Sequence, residues 1–161
     1  MSFLFKRMAI VGLGLIGGSL ARIAREKRIA EQIVGLGRSR ETLDLALAAG
    51  SIDEYSLDLI QGSNHVDIVV ITTPVGVVVD VVREIAGSLK PGTIITDVGS
   101  VKKKIVEEAE SFLPSHLYFV GAHPIAGTEN SGFQASFAQL FQGHGAFLLR
   151  PHGRMLLPRQ R

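Results

Sequence analysis

The segment Gly121-Ala122-His123-Pro124-Ile125-Ala126-Gly127-Thr128-Glu129-Asn130-Ser131-Gly132 sets one imidazole directly after an apolar run. A proline and a series of small or polar residues follow, which is poor material for a packed core. A neutral imidazole, with an unperturbed pKa of about 6.5, accepts a hydroxyl proton near physiological pH. A histidine taken alone is more often structural. His123 is singled out because it falls at a strand's carboxyl edge beside other candidate loops. One of these is Asp97-Val98-Gly99-Ser100-Val101-Lys102, also at a strand end. Ser100 either caps the following helix, hydrogen-bonds a substrate, or does both through different atoms. The run Lys102-Lys103-Lys104 reads as a solvated face, with Lys102 nearest the cleft.

A second chemistry is binding rather than proton transfer. Gly12-Leu13-Gly14-Leu15-Ile16-Gly17 is a GxGxxG that leaves one apolar run and opens another. Gly12 permits the tight turn, Gly14 lets the backbone approach a pyrophosphate, and Gly17 lets helix and strand pack closely. The helix start at Leu15 and Ile16 then offers amide donors and the positive end of the dipole. A merely glycine-rich turn is the alternative, and the flanking strand and helix speak against it. An acid that grips the ribose is expected about 20 residues further on. The chain has Gly37-Arg38-Ser39-Arg40 there. Arg38 and Ser39 suit a 2′-phosphate, which leans the cofactor toward NADP over NAD. Arg38 stacked on adenine or pointing into solvent would leave NAD usable. Thr72-Thr73-Pro74-Val75 follows a third apolar run. Pro74 fixes φ where the chain turns, so Thr73 and Pro74 are a structural turn, a cofactor wall, or both.

These loops need a scaffold that brings them to one edge. Short Val- and Ile-rich runs alternate with helical patterns: strands at 8–12, 33–36, 67–72, 93–97, 118–122 and 146–149. Helices are expected over 16–27, 40–49, from Pro74 to about Ser88, and over 101–112 behind Ser100 as N-cap. Alternation of this kind predicts an α/β fold with a doubly wound parallel sheet, the Rossmann-type dinucleotide-binding domain.

Composition removes other classes. The chain has 161 residues, 46% of them hydrophobic, with no cysteine. Disulfide scaffolds, zinc-cysteine sites and thiol catalysis are excluded, and a reducing cytoplasm is compatible. All acids lie before residue 130, whereas Arg150, Arg154, Arg159 and Arg161 crowd the last twelve positions. A nucleic-acid surface would spread its charge over a face, so no nucleic-acid partner is expected. The apolar stretches at 8–20 and 66–82 are broken by glycines, Asp67, Pro74 and Asp80, so neither a signal helix nor a membrane span is expected. His65, His116, His144 and His152 are scattered without metal-ligand spacing, and no metal is expected.

Taken together, the glycine run 12–18, the 97–102 segment and above all 121–132 resemble the prephenate dehydrogenase family, which includes arogenate and cyclohexadienyl dehydrogenases. The likeness spans about residues 8–149, and 1–149 is the expected NAD(P)-binding domain. The resemblance implies oxidative decarboxylation of prephenate to 4-hydroxyphenylpyruvate in tyrosine biosynthesis, or the corresponding reaction of arogenate. It implies that His123 accepts a hydrogen bond, and then the proton, from the substrate's ring hydroxyl. Ser100 would orient that hydroxyl and the imidazole, while Thr128 and Glu129 would line the cofactor and substrate pocket. Family members are expected to be homodimers through a helical domain that also supplies an arginine for the substrate carboxylate. That domain has no counterpart in these residues. The tail 150–161, broken by Pro151, Gly153 and Pro158, reads as an atypical basic ending of a truncated or frame-shifted product. Two other readings stay open: a non-catalytic dinucleotide-binding module, and a two-domain dehydrogenase of the hydroxyisobutyrate type. His123-Pro124-Ile125-Ala126-Gly127 speaks against the latter.

Overall fold

The computed structural model describes residues 2–150 and 154–156. Strands β1 (Phe5–Val11), β2 (Ala30–Leu36), β3 (Glu54–Ser56), β4 (Ile68–Ile71), β5 (Ile94–Asp97) and β6 (Tyr118–Pro124) run parallel. Helices α1 (Leu15–Glu26), α2 (Arg40–Ala48), α3 (Leu59–Gly62), α4 (Val78–Ile85) and α5 (Lys102–Phe112) connect them. The strand order is β3-β2-β1-β4-β5-β6, followed by β7 (Ala146–Arg150) and β8 (Arg154–Leu156). The first six are therefore the doubly wound arrangement that the sequence predicts, with chain direction reversing its progress between β1 and β4.

Both faces of the sheet are covered, so its strands are apolar on both sides rather than alternating with polar residues. In β1, Ala9 and Val11 face a core that includes Val78, Val82 and Ile85 of α4 and Val106 of α5. Met8 and Ile10 face the opposite layer, with Ala21 and Ala24 of α1 and Leu43 and Ala46 of α2. Register then sets the edge. Val11 lies beside Leu36 and Ile71, Ile71 beside Asp97, and Asp97 beside Gly121. The carboxyl ends of β2, β1, β4, β5 and the middle of β6 thus stand in one row. Among the described residues no helix is long and apolar enough to cross a membrane.

Three differences from the sequence reading have physical causes. The last expected strand does not continue the parallel sheet, because β7 returns antiparallel along β6. Its pairing carries β6 beyond Ala122 to Pro124 and places His123 opposite Phe147, inside the strand rather than after it. The elements β3 and α3 escaped notice because three and four residues are too short for a periodic signal. Ser100 does not cap α5. Val101 occupies the N-cap position, without a side-chain hydrogen bond. Of the expected basic tail 150–161, Arg150 ends β7 and 154–156 form β8, while the other positions lie outside the described residues.

At the opposite, amino-terminal edge, Asp67 ties three elements together. Its carboxylate accepts from the backbone N–H of Lys6 (2.8 Å) and Arg7 (3.0 Å) and from Lys90 Nζ (2.5 Å). Partial burial alone would raise its pKa. Donation from Lys90 and from the Arg7 and Lys6 amides outweighs that, and the pKa lies below the ordinary carboxylate value. Asp67→Asn should destabilise the fold by about 1–2 kcal/mol at pH 7. A lowered folded pKa means that this stability is present above the unfolded value of about 3.9 and is lost as pH falls through the folded value. Denaturation curves of the two proteins should therefore converge under acid conditions; a difference unchanged from pH 7 to pH 2 would contradict this account.

Candidate active site

A cavity of about 550 Å³ opens where the strand order reverses, between the ends of β1 and β4. Open α/β sheets bind their ligands at such a crevice. Gly12, the first residue after β1, has φ +88°, a conformation that side chains rarely adopt. Its carbonyl accepts from the Thr72 hydroxyl, which also donates to Val11 O at 2.9 Å. Gly17 sits against the same knot. A methyl there would lie 1.9 Å from Gly12 O and 2.5 Å from Thr72 Oγ1. Gly14 is the opposite case, with nothing within 4 Å of where its Cβ would be. It is the N-cap of α1, without a side-chain hydrogen bond and with no acid in the first turn. The first amides of α1 thus have no capping side chain, and Gly14 at their head lines the opening.

The structure gathers six of the expected cofactor residues into this one wall: Gly12, Gly14, Arg38, Ser39, Thr73 and Pro74. Thr73 Oγ1 is buried with no hydrogen-bond partner among the described residues. Arg38 is exposed at the mouth, and Ser39 is the N-cap of α2, its hydroxyl accepting from Thr42 N at 3.2 Å. Leu15 and Ile16 are the first residues of α1 and Gly17 is buried behind the turn, so none of the three lines the cavity. Asp80, Glu84, Gly132 and Phe133 also line it and were missed. The acids had a signal. They are spaced i, i+4 on α4, opposite buried Val78, Val82 and Ile85. Phe133 had none, since it reaches the cavity only because the chain after β6 folds back over α1. An unpartnered helix start, an open glycine beside it and an orphaned hydroxyl suit a dinucleotide's pyrophosphate and its flanking groups.

Ser100, His123, Thr128 and Glu129 stand at the same sheet edge but outside that wall. Ser100 and His123 follow the adjacent positions Asp97 and Gly121 on neighbouring strands. Ser100 is exposed and, freed from capping, its hydroxyl has no partner among the described residues. His123 is half-buried, and its Nδ1 is sealed from solvent with no hydrogen-bond partner among the described residues. Thr128 and Glu129 lie on an exposed loop, where Thr128 Oγ1 accepts from Asn130 N at 3.2 Å.

Below Ser100 lies an ion pair that the lysine run concealed. Lys103 and Lys104 are exposed and face Glu107 and Glu108 one turn on, as a solvated face should. Lys102 turns inward instead, with a side chain only 10% exposed, and binds the fully buried Asp97. Burial lowers the Lys102 pKa against the opposing pull of the Asp97 carboxylate. Asp97 Oδ2 also accepts from Gly99 N at 2.9 Å, while Oδ1 has no partner. The pair thus fixes the turn that carries Ser100.

A doubly wound domain with an anion-ready glycine turn at its switch point defines the class: a dinucleotide-binding domain. The family description "Prephenate dehydrogenase, nucleotide-binding domain" matches residues 20–154. The chain is 38% identical over 143 residues to prephenate dehydrogenase of Bacillus subtilis, covering 88% of this chain and 38% of that protein. It is 38% identical over 144 residues to cyclohexadienyl dehydrogenase of Zymomonas mobilis, covering 89% and 49%. Among solved structures, prephenate dehydrogenase from A. aeolicus in complex with hydroxyphenyl propionate and NAD+ superposes with a TM-score of 0.83 at 32% identity, covering 92% of this chain and 51% of that one. Arogenate dehydrogenase of Synechocystis gives 0.83 at 31%, with the same coverage. The chain belongs to the prephenate dehydrogenase family, and it spans between 38% and 51% of the length of these relatives.

Removing one partner of a buried ion pair leaves the other charge uncompensated. Lys102→Met should destabilise by about 3–5 kcal/mol, and adding Asp97→Asn should recover much of that loss. Urea unfolding of the two variants measures it. Equal stability of the single and double variants would show that the pair is not coupled.

Proposed function

We propose that this chain is the cofactor-binding half of an NAD(P)-dependent dehydrogenase that converts prephenate to 4-hydroxyphenylpyruvate in cytoplasmic tyrosine biosynthesis. The observation that carries this reading is the imidazole of His123, its buried Nδ1 unsatisfied among the described residues, on the same sheet edge as the cleft at the glycine turn. Residues 1–149 are the working domain. The α1 amides at Leu15, Ile16 and Gly17 hold the pyrophosphate, with Gly12 and Gly14 allowing its approach and Thr73, Pro74 and Thr128 flanking the nicotinamide side. Arg38 and Ser39 receive the adenosine end, and Arg38 with no acid from 37 to 40 favours NADP over NAD. A bound nicotinamide dinucleotide supplies the two-electron acceptor.

The chain's own residues handle the proton and the orientation. His123 accepts the hydrogen bond of the substrate's ring hydroxyl and takes its proton as the carbinol carbon is oxidised. Ser100 hydrogen-bonds that hydroxyl and sets its angle to the imidazole. The ring carboxylate leaves as carbon dioxide, and aromatisation makes the step irreversible. Thr128 and Glu129, on the loop after β6, border the substrate. Arogenate is the second reading, supported by the likeness to an arogenate dehydrogenase. It differs from prephenate in an amino group where prephenate has a keto group. Members of the family are taken to pair as homodimers.

Fluorescence titration should show saturable binding of NADPH, with NADH weaker by about tenfold, the worth of one charge-assisted contact. Arg38→Gln should erase most of that difference, whereas equal affinities in the unaltered chain would overturn the cofactor preference. His123→Asn should leave dinucleotide binding intact and lower prephenate-dependent reduction of the dinucleotide by about 10²–10⁴-fold. Tight binding by folded protein, with neither prephenate nor arogenate turned over, would favour the binding-module reading instead.

A further inference from the structure

A second cavity, of about 420 Å³, shares no lining residue with the dinucleotide cleft. It lies between the C-terminal half of α1, the corner 49–51 after α2, and the segment 136–138. Its walls hold Arg22, Arg25 and Glu26 from the helix, Ser51 from the corner and Ser136 from the segment.

The polar groups here divide into those already used and those left over. Arg22 Nε donates to Ser136 Oγ at 2.9 Å, and its guanidinium lies 4.8 Å from the Phe133 ring centroid. Those contacts fix the plane of the guanidinium. Its terminal amino groups have no partner among the described residues. Arg25 is tied by a terminal amino group to Asp53 at 2.9 Å, and its buried Nε is unpartnered. Ser51 is 3% exposed, and its hydroxyl, also buried, has no partner. The nearby carbonyls at the end of α2, Ala46 O and Leu47 O, accept from the backbone amides Ser51 N and Gly50 N. Glu26, the carboxylate in this wall, is exposed and 4.0 Å from Lys27. Asp53 is engaged twice, by Arg25 and by Ile33 N at 2.7 Å. What remains beside the solvent-exposed Glu26 carboxylate is a set of donors: a pre-oriented guanidinium fork, a second guanidinium nitrogen and a hydroxyl. Arg22, which has no carboxylate partner, supplies the excess positive charge.

Such a set satisfies itself with acceptors, and a planar or tetrahedral oxyanion carries several on one small body. We propose that this cavity binds a small oxyanion, carboxylate or phosphate, between the Arg22 fork and the Ser51 hydroxyl. The site is separate from the pyrophosphate position and does not depend on the activity proposed above.

Backbone amide NMR of the 161-residue chain tests it by titration with inorganic phosphate and, separately, with malonate, each against sodium chloride of equal ionic strength. The expected result is saturable shifts at 49–51 and 136–138, absent with chloride, and the probe that saturates identifies carboxylate or phosphate as the ligand class. Arg22→Gln should weaken the binding about tenfold, the loss of one charge-assisted contact. Ser51→Ala, a change small enough to leave the fold intact, should weaken it severalfold and decides the matter if the arginine variant does not fold. Shifts linear in concentration, shifts confined to the 12–17 turn, or an affinity unchanged in both variants would overturn the proposal.

Discussion

The closeness of α1 to the end of β1 is the constraint on which the rest depends. Gly17 lies so near the Gly12 carbonyl that one methyl group would occupy the same space. The contact is held from the far side by Thr72, whose hydroxyl bonds both Val11 O and Gly12 O. Three elements therefore meet at one point, and β1, α1 and the turn after β4 cannot move independently. The helix start is aimed along the sheet edge because it has no room to point elsewhere. One residue on, Gly18 leaves the space that Phe133 and Ser136 fill, so the same helix also anchors the chain returning from β6. A single close approach thereby positions both the floor of the cleft and part of its wall.

The carboxyl edge carries polar groups that a merely stable protein would not keep in that state. Thr73 Oγ1, Asp97 Oδ1 and His123 Nδ1 are all buried without partners among the described residues, and each such group costs about 1–3 kcal/mol. Asp97 is fully buried, and Lys102 nearly so, although an ion pair taken out of water is seldom a net stabiliser. The pair is better understood as a positional device. One carboxylate oxygen grips both the Gly99 amide and the lysine five residues on, which closes the 97–102 turn from beneath and leaves Ser100 outside it. The cost falls on the hidden side of the loop and the freedom on the exposed side. Unsatisfied groups beneath a loop whose outer face is free hold that outer face in a set geometry.

Much of this was legible in the sequence because periodicity and glycine spacing are local signals. The strand–GxGxxG–helix unit, the apolar runs of β4 and β5 and the turn at Pro74 each announce themselves within a dozen residues. What was not legible depends on partners far along the chain. Lys102 looks like its neighbours Lys103 and Lys104, and only the helix phase and the Asp97 position separate the buried member from the solvated pair. Ser100 has the right type and place for a helix cap, yet the turn gripped by Asp97 shifts that role to Val101. His123 was expected past the strand's end. A strand ends where its pairing ends, and β7, about 23 residues later, decides that.

The extension of β6 bears on how the two halves of the edge communicate. Pairing with β7 holds the backbone at His123 in a sheet ladder, so the imidazole is mounted on a rigid element. Thr128 and Glu129 are on an exposed loop, where Thr128 Oγ1 accepts from Asn130 N. That loop ends at Gly132, whose φ of +83° redirects the chain so that Phe133 enters the cleft wall and packs against α1. The loop is thus tethered at one end to the strand that bears the imidazole and at the other to the helix that faces the dinucleotide cavity. Any ligand that draws Thr128 or Glu129 inward must act on a segment whose two ends are already fixed by these elements. A short loop between two fixed ends has fewer conformations open to it than a free segment of the same length, so fixing its geometry costs less conformational entropy.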